Sequence, residues 1–297
     1  MNTLLKGRDF TRVRDFSRPE LEAVLDLADE LKARRDDRNH RLLPGRTLGM
    51  IFEKPSTRTR ISFEVGIAQL GGVGLYLAAG DLQLGRGETV KDTAHVLSRY
   101  LDALMVRTFA QRLVDELAEH AEIPVINGLT DEEHPCQALA DFMTIRERLG
   151  RLGGVRMAYV GDGNNVCMSL AHMAALFDVA FVAATPEGYE PPSGTPGEMV
   201  RDAREAVEGA DVVYTDVWTS MGQEEERARR LAAFRGYTVD DELVGRASDS
   251  AIVLHCLPAH YGEEITEEVL YGPRSAVWDE AENKLHSVKA LLALVTR

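Results

Sequence analysis

Apolar positions along the chain fall into two alternating patterns. From Leu21 they recur at Val24, Leu25, Leu27, Ala28 and Leu31, the spacing of one helix face. Ser17-Arg18-Pro19-Glu20 precedes them as a capping box with proline in the first turn, so the helix start is encoded too. Residues 48–52 form an unbroken apolar run, read as a buried strand that ends before Pro55-Ser56. A second helix begins there and carries Ile61, Val65 and Ala68 on one face. Residues 103–106 and 125–126 read as further buried strands, and His134-Pro135 opens a helix running to about Leu149. After Gly153-Gly154 the rhythm restarts, with strands at 155–160, 180–184, 211–215 and 251–254 and a helix over 166–177. A last helix, 285–295, could pack on either half. Strands that are apolar throughout, alternating with helices, predict an α/β fold with parallel sheets covered on both faces. The hinge between two domains falls within the 134–149 helix and its exit. Residues 186–197 hold four of the eleven prolines and read as a flexible excursion, not a domain linker.

Composition narrows the function. The 297 residues suffice for two domains with real cores. With 48 Asp+Glu against 34 Lys+Arg the net charge is -14, a poor basis for general nucleic-acid binding, which needs a basic face. No apolar run approaches a membrane span, and the N-terminus lacks the apolar core of a secretory signal. Three cysteines without a CxxC pair argue against a disulfide scaffold or a thiolate zinc site. The expectation is a cytoplasmic, metal-free protein.

The chemistry gathers at strand ends. In Phe52-Glu53-Lys54-Pro55-Ser56-Thr57-Arg58-Thr59-Arg60 a strand gives way to a helix whose first turn is crowded with hydroxyls and two guanidiniums. Unpaired N–H groups and the helix dipole make such a turn an anion site, and Arg58 and Arg60 add bidentate donors; an ordinary capped helix with solvated arginines would look the same. Arg107 closes another apolar run, at the strand end where open α/β sheets bind ligands. His134 and Gln137 sit in the first turn of the next helix, where both could donate to a carbonyl oxygen gaining charge. In the second half, Gly161-Asp162-Gly163-Asn164-Asn165-Val166 lacks the third glycine of a dinucleotide fingerprint, and no ribose-binding acid follows the next strand. Presentation of Asn165 to a small ligand fits better. Asp216, with Ser220 and Met221 beyond it, could hold an ammonium or simply cap a helix. Cys256 follows a strand end with no identifiable base beside it, so it is not read as a nucleophile.

Six segments in order resemble the aspartate/ornithine carbamoyltransferase family over nearly the whole chain. They are Ser-Thr-Arg-Thr-Arg at 56–60, Met-Val-Arg-Thr at 105–108, His-Pro-Cys-Gln at 134–137, Asp-Val-Trp-Thr-Ser-Met-Gly at 216–222, His-Cys-Leu-Pro at 255–258 and Glu-Ala-Glu-Asn at 280–283. The resemblance implies two Rossmann-like domains, with the active site in the interdomain cleft. The first would be a carbamoyl-phosphate-binding domain, 1–147, completed by the C-terminal helix 283–297; the second an ornithine-binding domain, 148–282. It also implies transfer of a carbamoyl group from carbamoyl phosphate to the δ-amine of L-ornithine, giving L-citrulline and phosphate, without cofactor or metal. Ser56, Thr57, Arg58, Thr59 and Arg107 would hold the phosphate, joined by Gln83 from a neighbouring subunit of a homotrimer. Thr59, Arg107, His134 and Gln137 would bind and polarise the carbamoyl group, and Asn165, Asp216, Ser220 and Met221 the amino-acid end of ornithine. Cys256 and Leu257 would complete the site; Arg58, Arg107, His134, Gln137 and Cys256 form the implied catalytic set.

Charge bears on the acceptor. Aspartate needs cations for its second carboxylate, and neither 216–223 nor 255–260 contains Arg or Lys. Putrescine lacks the α-carboxylate, while N-acetylornithine differs by shape, which charge does not address. Two departures from the family pattern stand out. Lys284 replaces the arginine that normally follows Glu-Ala-Glu-Asn, keeping the charge but losing the fork. Residues 190–210 are short, so that either an edge element of the second sheet is lost or the sequence is shortened there. An inactive carbamoyl-phosphate-binding paralogue is the alternative these departures support. Neither the direction of flux nor the order of assembly is written in the sequence.

Overall fold

The computed structural model describes residues 5–36, 40–84 and 87–296. They fall into two compact units, one running to Met143 and resuming at Glu282, the other Thr144–Ala281.

The first unit is built from α1 (Arg18–Ala33), β1 (Thr47–Phe52), α2 (Thr57–Gln69), β2 (Val73–Ala78), α3 (Val90–Tyr100), β3 (Ala103–Arg107), α4 (Gln111–His120), β4 (Val125–Leu129) and the start of α5 (Pro135–Leu149). Its four strands are parallel in the order β2-β1-β3-β4. The chain steps from β1 to β2 and then crosses back to β3 on the other side, so the sheet's switch point lies between β1 and β3. Their carboxyl ends, Phe52 and Arg107, are register partners. Ligands of open α/β sheets bind at that crevice. Ile51, Leu104 and Val106 pack with Ala94 of α3 and with Val114 and Leu117 of α4 to form the core beneath it. The α1 stripe of Leu21, Val24, Leu25, Ala28 and Leu31 is buried as its spacing predicts, and Glu20 accepts from the Ser17 N–H at 2.7 Å to close the capping box.

Helix α2 reverses the obvious reading of its apolar face. Ile61, Val65 and Ala68 are exposed, whereas Thr59, Ser62, Phe63, Gly66 and Ile67 face inward. The inward side is small because the C-terminal helix lies close: a Cβ on Gly66 would come within 3.3 Å of Lys289 Cγ. Beside α2, the edge strand β2 exposes Val73, Leu75 and Tyr76. The periodicity locates a real apolar face, but not the one that covers the core.

The second unit contains the end of α5, then β5 (Arg156–Val160), α6 (Asn165–Leu176), β6 (Ala180–Ala184), β7 (Glu198–Val200), α7 (Ala203–Val207), β8 (Val212–Thr215), α8 (Arg227–Ala233), α9 (Asp241–Val244), β9 (Ile252–His255), α10 (Glu267–Leu270) and the start of α11 (Val277–Val295). The five parallel strands run β7-β6-β5-β8-β9, the doubly wound order, with the switch point between β5 and β8. Of the two readings of the short 190–210 segment, loss of the edge strand does not hold. A three-residue strand, β7, pairs with β6 from Val182↔Glu198 to Ala184↔Val200. What the crossover between β6 and β7 lacks is a helix.

That crossover is not loose. Gly163 N–H donates to the Tyr189 carbonyl at 2.8 Å, and a Cβ on Gly163 would lie 2.1 Å from Pro191 N. Gly163 is therefore needed so that the chain's own Glu190-Pro191 can approach. In a dinucleotide fingerprint that space belongs to a pyrophosphate.

Helix α11 starts eight residues before the position its apolar run suggests, at Val277 rather than 285. From Glu282 it belongs to the first unit, where Asn283, Ser287, Val288 and Lys289 are fully buried. Lys32 Nζ of α1 donates to Asn283 Oδ1 at 2.8 Å, and Gly7 N–H donates to the Val295 carbonyl at 2.8 Å. Polar residues that are internally bonded hid the full length of this buried helix from the pattern. Among the described residues no helix is long and apolar enough to cross a membrane.

Candidate active site

In the first unit the cluster begins where β1 ends. Ser56 caps α2, its Oγ accepting from the Thr59 N–H at 3.2 Å, and no acidic residue enters the first turn. The free N–H groups and positive dipole end of α2 thus remain available to an anion. Thr57 is exposed, Arg58 half-buried and Thr59 buried. From the paired strand end, Arg107 Nη1 donates to Thr59 Oγ1 at 3.4 Å, with the arginine itself buried. Arg60 does not join them. Two residues on, it lies on the far side of the helix, where Nε donates to Glu64 at 3.0 Å and the guanidinium covers the Tyr76 ring at 3.9 Å. The expected Arg58–Arg60 pair is replaced by Arg58 with Arg107.

Helix α5 and helix α11 supply the rest of this cluster. Lys284 Nζ donates to Gln137 Oε1 at 2.8 Å and lies 3.4 Å from His134 Nε2. Gln137 Nε2 in turn donates to Asp141 Oδ1 at 2.8 Å. An ammonium can only donate and a carboxylate only accept, so the two contacts fix which way the Gln137 amide points. All four side chains are buried. Burial pushes the His134 pKa well below the usual imidazole value, helped by the charges of Lys284, then Arg107, then Arg58. His134 is therefore a neutral ring among cations, able to exchange hydrogen bonds without adding positive charge. Its neighbour Cys136 is an inert thiol, pushed up to about 12 by burial. Gln83 is exposed on the segment after β2, away from these hydrogen bonds; Gly85 and Arg86 of the same motif lie outside the described residues.

In the second unit the corresponding cluster surrounds Asp216, just past the end of β8. No helix follows it, so it is not a cap. Asn164 Nδ2 donates to Asp216 Oδ2 at 2.8 Å, and Cys256 Sγ donates to Asp216 Oδ1 at 3.1 Å. Asn164 also caps α6, its Oδ1 accepting from the N–H groups of Val166 and Cys167 at 3.0 and 3.1 Å. Asn164 thus braces the carboxylate, while Asn165 occupies the first position of α6, half-buried. Ser220 is half-buried and its N–H donates to Gln223 Oε1 at 3.1 Å; Met221 is exposed.

The segment carrying Cys256 and Leu257 is held from behind by His255, Glu264 and Glu280, to none of which the sequence gives a role. His255 N–H donates to Glu280 Oε2 at 2.9 Å, and His255 Nδ1 accepts from the Leu257 N–H at 2.8 Å. The ring proton therefore sits on Nε2, which donates to the fully buried Glu264 at 3.1 Å. Leu257 is fixed in the left-handed region at φ 57°, strain that a non-glycine residue accepts only where its surroundings impose it. The donors of Asp216, His255 and Cys256 lie within 4.8 Å of one another, as a metal set would require. Both His255 nitrogens are already engaged, however, so an ion would have to break one of these bonds. His255 opens the His-Cys-Leu-Pro segment but carries no assigned role there, and Glu264, eight residues beyond Cys256, belongs to none of the six segments.

Comparison with known proteins finds two domain models in order along the chain. The carbamoyl-P binding domain model of the aspartate/ornithine carbamoyltransferases covers residues 8–147, and the Asp/Orn binding domain model covers 153–295. An ornithine carbamoyltransferase of Symbiobacterium thermophilum is 56% identical across 99% of both chains. The solved ornithine carbamoyltransferase of Pyrococcus furiosus superposes with a TM-score of 0.94 at 51% identity, covering 98% of each chain. That of Thermus thermophilus gives 0.91 at 43%, covering 97% of this chain and 99% of the other. With two domain models matched in order and relatives alike over their full length, this chain belongs to the aspartate/ornithine carbamoyltransferase family.

Proposed function

We propose that this protein transfers the carbamoyl group of carbamoyl phosphate to the δ-amine of L-ornithine, forming L-citrulline and phosphate. The observation that carries the reading is that the chain holds two unlike clusters, one in each unit. One has Arg58, Arg107 and Lys284 around a neutral His134, suited to a phosphate dianion and an uncharged carbonyl. The other centres on the buried carboxylate of Asp216, held by the neutral donors Asn164 and Cys256 and suited to a substrate ammonium. The α2 N-terminus with Ser56, Thr57, Arg58 and Thr59 takes the phosphate; Arg107, Thr59, His134 and Gln137 take the carbamoyl group. Asn165, Asp216, Ser220 and Met221 take the amino-acid head, with Cys256 and Leu257 against it.

The neutral δ-amine attacks the carbamoyl carbon, and negative charge builds on the carbonyl oxygen. Donors already fixed by Thr59, Asp141 and Lys284 need not reorganise to meet it, and one such donor contributes about 10²–10³ in rate. The C–O bond to phosphate breaks, and the leaving phosphate takes the proton released by the amine. Aspartate would need a cation for its second carboxylate, and Arg230, bonded behind this segment, is already paired with Asp162. The test is citrulline and phosphate release from carbamoyl phosphate with ornithine, run beside aspartate, putrescine and N-acetylornithine. Turnover with ornithine alone supports the reading; preference for another amine, or none with any, refutes it.

The oligomer belongs to the same proposal. Ile61 and Val65 on α2 and Val73, Leu75 and Tyr76 on the edge strand β2 are exposed apolar residues, close in sequence to the exposed Gln83. A second copy of the chain covering these residues, in a homotrimer, would bring Gln83 to a neighbour's phosphate site. Mixing an Arg107→Ala protein with a Gln83→Ala protein should then restore activity through hybrid assemblies. The three cysteines are free thiols, which suits a cytoplasmic enzyme.

A further inference from the structure

Arg230 was no part of the motifs, yet it gathers four separate segments of the second unit. Its Nη1 donates to Asp162 Oδ2 at 2.9 Å, in the turn after β5, and to the Trp218 carbonyl at 2.9 Å, two residues before Ser220. Its Nε donates to Glu226 Oε2 at 3.3 Å within its own α8 region. The guanidinium lies 5.0 Å from the ring of Tyr189, in the crossover between β6 and β7. The Arg230 and Asp162 side chains are only 8% and 9% exposed, so this is a buried, geometrically defined pair and not a surface contact.

The segment after β8 is fixed stepwise. Asp216 is held by Asn164 and Cys256. The Trp218 ring stacks on Phe234 at 5.3 Å and its carbonyl is held by Arg230. Beyond that point exposure rises through Ser220 to Met221. Arg230 is thus the last fastening before the turn that presents Ser220 and Met221, and the same nitrogen fastens the turn that leads into Asn164 and Asn165. We propose that Arg230 is a positioning residue that sets the span between the Asn165 segment and the Ser220–Met221 segment, and so selects the amino-acid substrate by its head group. This rests on the ornithine reading above. Nη1 serves the Asp162 carboxylate and the Trp218 carbonyl while Nε holds Glu226; a lysine carries its donors on a single nitrogen and does not reproduce that spread.

The test compares Arg230→Met and Arg230→Lys with the parent in the full-length enzyme, measuring KM and kcat for each substrate and the thermal midpoint. The expected result is a rise in ornithine KM of about tenfold or more for Arg230→Met, with the carbamoyl phosphate KM within about twofold and a smaller ornithine effect for Arg230→Lys. A second readout does not depend on turnover. In a Trp278→Phe background, Trp218 is the only tryptophan, and its quenching by acrylamide should increase when Arg230 is replaced. Unchanged ornithine KM, or equal rises in both KM values tracking a lowered midpoint, overturns the proposal. If the parent fails to use ornithine, the functional reading falls, and unchanged Trp218 quenching in both variants would sink the brace separately.

Discussion

Replacing Lys284 by methionine removes one buried ammonium while nearly keeping the side chain's length and volume. In the parent, Nζ donates to Gln137 Oε1 at 2.8 Å in a region where Lys284 is 4% exposed. A hydrogen bond involving a charged group contributes about 1.5–3 kcal/mol, and the amide oxygen left behind has no water to replace it. At 1.4 kcal/mol per factor of ten, the loss is about 10- to 150-fold in kcat/KM for carbamoyl phosphate. Methionine should not unfold the protein, because it also removes the desolvation cost of the charge. His134 stays neutral, since burial is the larger cause of its low pKa and Lys284 the second. The assay is initial rate against carbamoyl phosphate at saturating ornithine, with the thermal midpoint measured alongside. A kcat/KM within twofold of the parent, in a folded enzyme, would refute the placement of Lys284 in the phosphate half-site.

Three further outcomes follow from the same geometry. Lys284→Arg restores a fork suited to phosphate and should lower the carbamoyl phosphate KM; unchanged KM and kcat would count against it. His134 and His286 both titrate lower folded than unfolded, the first well below its ordinary value and the second at about 4, mainly through burial. The native state then binds fewer protons, so stability is intact above the unfolded value near 6.5 and falls below it by up to about 1.4 kcal/mol per pH unit for each group. Denaturant titrations between pH 7 and 5 should show the decline, and His134→Gln should flatten it; a flat parent profile contradicts the burial argument. Gly163→Ala puts a methyl 2.1 Å from Pro191 N and should destabilise by about 1–3 kcal/mol, read as a lowered thermal midpoint.

Much of the site was legible because its residues sit at ends of local elements. Ser56 to Thr59 and Arg107 follow apolar runs of the first sheet and Asp216 one of the second, and within each parallel sheet such ends open on one edge. Two misreadings share one cause: a local pattern with two tertiary uses. The face of α2 with Ile61 and Val65 is apolar but exposed, and Arg60 is two residues from Arg58 but on the far side of the helix. The edge strand β7 was missed because three residues, Glu198–Val200, are too short to show periodicity.

By itself the sequence determined most of the buried strands, the parallel α/β class, the family motifs and the residue chemistry at those strand ends, but not β2, α3 or α4. What it determined depends on contiguous runs, caps and spacing, which a chain carries before it folds. Only the tertiary structure decided the partners. Asp141 orients Gln137, which receives Lys284 from 147 residues away; Asn164 braces Asp216 across 52 residues; and Arg230 reaches Asp162 across 68. Such pairings are set by strand order and crossover, so no local signal announces them. They arise where a buried charge or amide must find a complementary atom from whichever segment the topology brings alongside.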